Sequence, residues 1–279
     1  MTMKTKAFSP SNVLTYATIL VSLVCVLGPF LWLIGISLKT RTQILTNPPL
    51  FIWKPTFENY AQVLHTDNFL QSLGNSVIIS VSTVILSLLI GVPTAYTMAR
   101  SRFRGRGTMY YSLLLMRMLP GIAVLIPMFM LFEYIGLQGS RSSVVFAHLS
   151  FSLPLVVWVM RSFFAELPAE IEESARVDGA TRFQVLSIIV LPLARPGMTA
   201  IATLCFLLSW NDFIFAAVLS ENATQTLPVL LASYSTADNG IDWGQLSAAG
   251  VLAIAPVILL SAFAQKHLVA GLSAGATKG

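Results

Sequence analysis

The sequence predicts an all-α integral membrane protein with six transmembrane helices. Three observations support this. Of 279 residues, 55% are hydrophobic and only 10% charged, with mean hydropathy +0.75, whereas soluble domains carry roughly 25% charged residues. Six apolar runs, near 13–37, 74–98, 109–133, 144–164, 197–220 and 247–268, reach the length of about 20 residues that crosses a hydrocarbon core. Lys and Arg crowd alternate loops between these runs, as cytoplasmic loops do.

The first run has a basic leader, Lys4 and Lys6, but is longer than the roughly 7–15 residues of a signal-peptide core. No small-x-small cleavage site follows, and Ser37-Leu38-Lys39-Thr40 ends it as a polar stop. It is therefore a span. Residues 13–268 are expected to form one membrane domain between short tails, 1–12 and 269–279, both expected in the cytoplasm. Arg100, Arg102, Arg104 and Arg106 occupy the loop after the second run. A nucleic-acid patch is the rival reading of this cluster, and its position against two spans argues for a cytoplasmic loop instead. Arg161 at the end of the fourth run is followed by Arg176, Arg182 and Arg195 before the fifth, and Lys266 and His267 at the end of the sixth are followed by Lys278. The opposite loops are poorer in cations, and the net charge of +5 follows from this topology. Pro93, Pro120, Pro127, Pro154 and Pro256 inside runs suggest kinked or broken helices, whose freed carbonyls are tolerated only in protein or beside water.

Cys25 and Cys205 sit inside spans and read as small packing residues. His65, His148 and His267 show no ligand spacing, so no metal site is expected. There is no phosphate-binding Gly-rich loop and no G-x-x-x-x-G-K-[ST]. The chain has no catalytic constellation and no way to bind ATP in the Walker manner.

The polar segment 168–190 is unusual between such apolar runs. Pro168 suits a first helical turn, and Glu170, Glu172 and Glu173 follow where the helix dipole favours acids. Ser174 and Ala175 are small enough for another surface to approach. Gly179 can take the positive φ of a tight turn. Thr181 can cap a second helix carrying Phe183, Leu186, Ile189 and Val190. This is a short helix–turn–helix; the bland alternative is an amphipathic connector lying on the bilayer.

The run Glu173-Ser174-Ala175-Arg176-Val177-Asp178-Gly179, with Ile189-Val190-Leu191-Pro192 beyond it, resembles the EAA loop of ABC-importer permeases, with Ser174 in place of the first Ala. Further segments continue the likeness: Leu119-Pro120-Gly121 with Ile126-Pro127, Trp210-Asn211-Asp212-Phe213 where many relatives have Trp-Asn-Glu-Phe, and the ending from Gly271 to Gly279. Together they cover about residues 70–279 and resemble MalG-type carbohydrate permeases of binding-protein-dependent importers. The resemblance implies the type I ABC importer fold, with Glu173, Ser174, Ala175, Asp178 and Gly179 presenting the ATPase-coupling surface. It implies a second homologous permease, two ATPase subunits that bind ATP and Mg on this chain's behalf, and an extracytoplasmic solute-binding protein. It implies alternating access as the mechanism.

Polar residues inside spans are costly in lipid and so mark pathway candidates. These are Arg117, Trp210, Asn211 and Asp212. Taken along continuous helices rising about 1.5 Å per residue, Arg117 and Asp212 differ in depth by about 9 Å. A direct pair is therefore possible for a long Arg but not the default. Structural ion pairing is the alternative for Arg117, and interface packing for Asn211 and Asp212. Trp210 could stack on a sugar or anchor a helix. The resemblance implies binding-protein contact for the outer loop 221–246, with Asp238, Asp242 and Trp243 as candidates; the alternative is a solvated connector. A secondary transporter or channel is the competing class. It would often show inverted repeats and paired intramembrane carboxylates, and neither is evident.

Overall fold

The computed structural model describes residues 10–65, 67–234 and 240–276. In chain order the helices are α1 (Pro10–Ser37), α2 (Arg41–Ile44), α3 (Glu58–His65), α4 (Asp67–Arg100), α5 (Arg106–Met118), α6 (Gly121–Tyr134), α7 (Arg141–Glu166) and α8 (Ala169–Val177). Then come α9 (Arg182–Gln184), a π-helical turn (Val185–Val190), α10 (Leu191–Leu193), α11 (Arg195–Trp210), α12 (Ile214–Leu219), α13 (Leu227–Ser233) and α14 (Trp243–Ala276). No strand occurs among the described residues.

Four helical stretches are long and apolar enough to cross a membrane: Leu14–Ser37, Asn68–Arg100, Arg141–Glu166 and Trp243–Phe263. Two bent pairs qualify jointly, Arg106–Met118 with Gly121–Tyr134 at 99° and Arg182–Leu193 with Arg195–Trp210 at 76°, so that six spans result if each pair is one. The third apolar run is therefore broken, not continuous. Pro120 disfavours helical backbone at the residue before it, and Leu119 is extended at φ −69°, ψ 129°. The fifth run is also interrupted: α11 ends at Trp210 and α12 starts at Ile214. Pro93, Pro127, Pro154 and Pro256 lie within helices that continue past them. Around Pro93, the Thr94 and Thr97 hydroxyls donate to the Ile90 and Pro93 carbonyls at 2.7 and 2.9 Å, the kind of local bond that keeps backbone carbonyls satisfied in lipid.

The chain forms two compact units. The first comprises residues 1–66 and 234–254. There Asn59 Nδ2 donates to the Ser37 and Lys39 carbonyls at 2.8 Å each, satisfying acceptors left open at the end of α1. Lys39 is 6% exposed. Its amine donates to the Leu50 carbonyl at 2.7 Å and lies 4.2 Å from the centre of the Trp53 ring, so the buried cation is both hydrogen-bonded and held on an aromatic face.

The second unit comprises residues 67–233 and 255–279. Its centre is the packing of α4 on α7. Ser72, Ser76, Ser80, Thr83 and Ser87 are buried along α4, three or four residues apart and so on one face. Small side chains let membrane helices approach closely. At Gly91 the approach is close, since a Cβ there would stand 2.6 Å from Val156 Cγ1. Val92, Ala95, Met98, Val156, Met160, Phe164, Val190, Ile201 and Cys205 continue this core towards the end of α4.

Candidate functional site

The segment 168–190 folds as the helix–turn–helix its residues predict. Pro168 takes the N-cap position of α8, one residue before the first turn. The helix closes with the Asp178 N–H on the Ser174 carbonyl at 3.1 Å and the Ala180 N–H on the Ala175 carbonyl at 3.0 Å. Gly179 has φ +90°, a conformation that costs glycine nothing and strains other residues. Thr181 then caps α9: its Oγ1 accepts from the Gln184 N–H at 3.3 Å, and Gln184 Oε1 accepts from the Thr181 N–H at 2.8 Å. This reciprocal pair is a capping box. The second helix passes through a π-helical turn in which the Leu191 N–H reaches back to the Leu186 carbonyl. Pro192 follows, and its ring would crowd a regular helical turn.

Glu173, Ser174, Asp178 and Gly179 are exposed, and Ala175 is half-buried. Beside them Val177 is 87% and Phe183 76% exposed. The tip of the segment thus presents acids, a hydroxyl and two large apolar side chains outwards, a mixture suited to covering by another protein.

Glu172 faces the other way. It is 2% exposed. Its Oε1 accepts from Arg100 Nε at 2.6 Å and its Oε2 from the Tyr96 hydroxyl at 2.6 Å. The sequence reading placed Glu172 with the dipole-stabilised acids of the first turns and did not separate it from Glu173. Half-buried Ala175, three residues on, shares that inward face of α8.

The pathway candidates do not form one cluster. Arg117 is exposed near the end of α5, just before the bend. The break at 119–120 falls after Arg117, and that at 211–213 falls at Asp212 itself. Trp210 is 4% exposed and stacks on Phe206 with ring centres 5.4 Å apart. Asn211 is exposed and donates to the Leu207 carbonyl at 2.8 Å. Asp212 finds a partner that the sequence reading passed over. His148, fully buried in α7, places Nε2 at 3.1 Å from Asp212 Oδ2 and Nδ1 at 2.7 Å from Ser209 Oγ. With Asp212 ionised, Nε2 donates to the carboxylate and Nδ1 of the neutral ring accepts from the serine hydroxyl. The same Asp212 oxygen accepts the Ala216 N–H at 3.1 Å. Asp212 therefore ties the start of α12 to α7 across the interruption.

A recess of about 670 Å³ opens where Gln71, Ser82, Arg141, Phe146 and Thr224 meet. Arg141 Nε donates there to Asn75 Oδ1 at 2.7 Å, while Asn75 Nδ2 donates to the Ala223 and Gln225 carbonyls. Of the outer-loop candidates, Asp238 lies outside the described residues. Asp242 caps α14, accepting from the Gly244 and Gln245 N–H groups at 3.1 Å each. Trp243 is 48% exposed. Among the described residues, no group of three or more His, Cys, Asp or Glu side chains is placed to hold a metal.

The family model described as binding-protein-dependent transport system inner membrane component matches residues 87–274. The chain belongs to this family. Its fold is that of type I ABC importer permeases, and the family carries the EAA motif, which residues 173–179 resemble. Among curated relatives, the trehalose/maltose transport system permease protein MalG of Thermococcus litoralis is 34% identical over 269 residues, covering 95% of this chain and 96% of that protein. Among solved structures, a bacterial ABC transporter involved in the import of the acidic polysaccharide alginate matches with TM-score 0.81 at 25% identity, over 94% of this chain and 99% of that one. A bacterial alginate ABC transporter in complex with an alginate pentasaccharide-bound periplasmic protein matches in fold, with TM-score 0.65 at 18% identity, over 91% and 93% of the two chains. Family and apolar helices together make the chain a multi-pass inner-membrane permease subunit.

Proposed function

We propose that this chain is the permease subunit of an importer that takes up a sugar or sugar derivative by alternating access, driven by ATP hydrolysis in partner subunits. The observation that carries the reading is the exposed tip of segment 168–190: a tight turn at Gly179, outward-facing Glu173, Ser174 and Asp178, and the bare side chains of Val177 and Phe183. The sugar class rests on the trehalose/maltose relative and the alginate importer.

The assembly consists of this chain, a second homologous permease, two ATPases that carry ATP and Mg, and an extracytoplasmic binding protein. Both termini face the cytoplasm, on the same side as the coupling tip. Each partner biases one of two states of the permease pair, which is what coupling requires. Glu173, Ser174, Ala175, Asp178 and Gly179 make the ATPase contact. Arg117, Asn211 and Asp212 serve the substrate path, while buried Trp210 packs on Phe206. Asp238, Asp242 and Trp243 meet the binding protein.

Replacing Gly179 by tryptophan tests the coupling contact. The variant is expected to insert normally but to lose ATP turnover that responds to the substrate-loaded binding protein. Normal transport by Gly179→Trp would refute the contact.

A further inference from the structure

Two neighbouring glutamates on α8 have opposite fates. Successive helical residues are separated by about 100° around the axis, so Glu173 faces outwards while Glu172 is 2% exposed. An acid early in a helix gains from the dipole without being buried, and burial of a charge is costly unless it is fully paired. Glu172 is paired twice over, with the Arg100 guanidinium and the Tyr96 hydroxyl, each at 2.6 Å. Both donors belong to the last turns of α4.

Arg100 does more than neutralise the carboxylate. Its Nη2 donates to the Leu167 carbonyl at 2.8 Å, and Leu167 is the C-cap of α7, immediately before Pro168. One rigid guanidinium therefore holds the chain entering α8 and a side chain from its first turns. Two attachment points on a planar fork fix orientation as well as position, which a lysine ammonium cannot do. Arg176, one turn further on, lies with Nε 3.4 Å from the Glu172 carbonyl. The α4 helix so gripped is the one packed most extensively against α7 and α11.

We propose that Arg100, Glu172 and Tyr96 form the joint through which displacement of α8 is passed to α4. These are positioning residues, distinct from the outward surface that meets the ATPase. The proposal rests on the reading of 168–190 as the ATPase-docking segment. A shift of α8 cannot leave α4 behind while both arms of the guanidinium hold, so the helix centred in the α4–α7 core moves with the loop.

The test uses the full importer in lipid nanodiscs, with its ATPases and its sugar-loaded binding protein. Arg100→Lys keeps the charge and one bond but loses the fork; Glu172→Gln keeps the shape but loses the charge. Both are expected to leave ATPase co-purification and basal hydrolysis unchanged. Stimulation of hydrolysis by the loaded binding protein should fall at least about fivefold, the lower end of typical coupling factors. The double variant should be no worse than either single one, because the two act through one contact. Stimulation by both single variants within about twofold of wild type would overturn the joint. If Glu172→Gln does not assemble, Tyr96→Phe decides: reduced stimulation supports the joint, and unchanged stimulation overturns it. Failure of the wild-type chain to retain the ATPases would overturn the docking reading and the joint with it. Intact wild-type stimulation with insensitive variants overturns the joint alone.

Discussion

Replacing His148 by phenylalanine isolates the clasp at the interrupted fifth span. Phenylalanine keeps a ring of similar size in a site already lined by aromatics. Phe151 and Phe215 have ring centres 5.3 and 6.5 Å from that of His148. Packing is therefore largely conserved while both hydrogen bonds are lost, one to Ser209 at 2.7 Å and one to Asp212 at 3.1 Å. Side-chain hydrogen bonds between membrane helices average about 0.6 kcal/mol and reach about 1.7. Two bonds thus set the cost at about 1–3 kcal/mol, the upper part because Asp212 retains only the Ala216 N–H. At roughly 2–4 °C per kcal/mol for chains approaching this size, the melting temperature should fall by about 2–12 °C. The assay is thermal unfolding of the purified permease in detergent, followed by tryptophan fluorescence, for His148→Phe, Asp212→Asn and the double variant. The double variant should lose less than the sum of the singles, since they share a partner. A melting temperature for His148→Phe within about 1 °C of wild type, or strict additivity, would refute the clasp.

Gly91→Ala should be destabilising by about 1–3 kcal/mol, as overpacking is, because the added Cβ would sit 2.6 Å from Val156 Cγ1; an unchanged melting temperature would show that α4 and α7 can part freely. Arg117→Met should leave assembly and basal hydrolysis intact and impair sugar uptake if the guanidinium serves the path, whereas a lowered melting temperature with proportionate loss of uptake would assign it to structure; no change in either would refute both roles. Reporter fusions after Arg106 and after Glu170 should read cytoplasmic and one near Asn239 external, and a cytoplasmic signal at Asn239 would refute the six-span topology.

The apolar runs were legible because bilayer thickness sets a length that composition alone can meet. The segment 168–190 was legible because its determinants are local: Pro168 at the start, Gly179 at the turn and Thr181 with Gln184 at the second cap all lie within a few residues of the backbone they control. The inward pairings were not legible in the same way. Tyr96 and Glu172 are 76 residues apart, and His148 and Asp212 are 64 apart. Which face of α7 or α8 turns inward depends on neighbours brought in by the whole fold. His148 looked isolated because a lone histidine in an apolar run has no spacing to read. The break at Leu119-Pro120 was half legible. Pro120-Gly121 signals a disturbance, but a proline can sit in a continuous helix, as Pro93 and Pro154 do. The 99° bend between α5 and α6 could not be told from a kink.

The central claim is that this permease moves a sugar only when partner subunits hydrolyse ATP and a binding protein delivers the load. Its most direct test is uptake of radiolabelled sugar into proteoliposomes holding the complete importer, with the loaded binding protein outside relative to the coupling tip and ATP enclosed. Uptake against a gradient that requires ATP, requires the binding protein and is abolished by Gly179→Trp is the predicted result. Uptake by this chain without ATPases, following an ion gradient alone, would contradict the account.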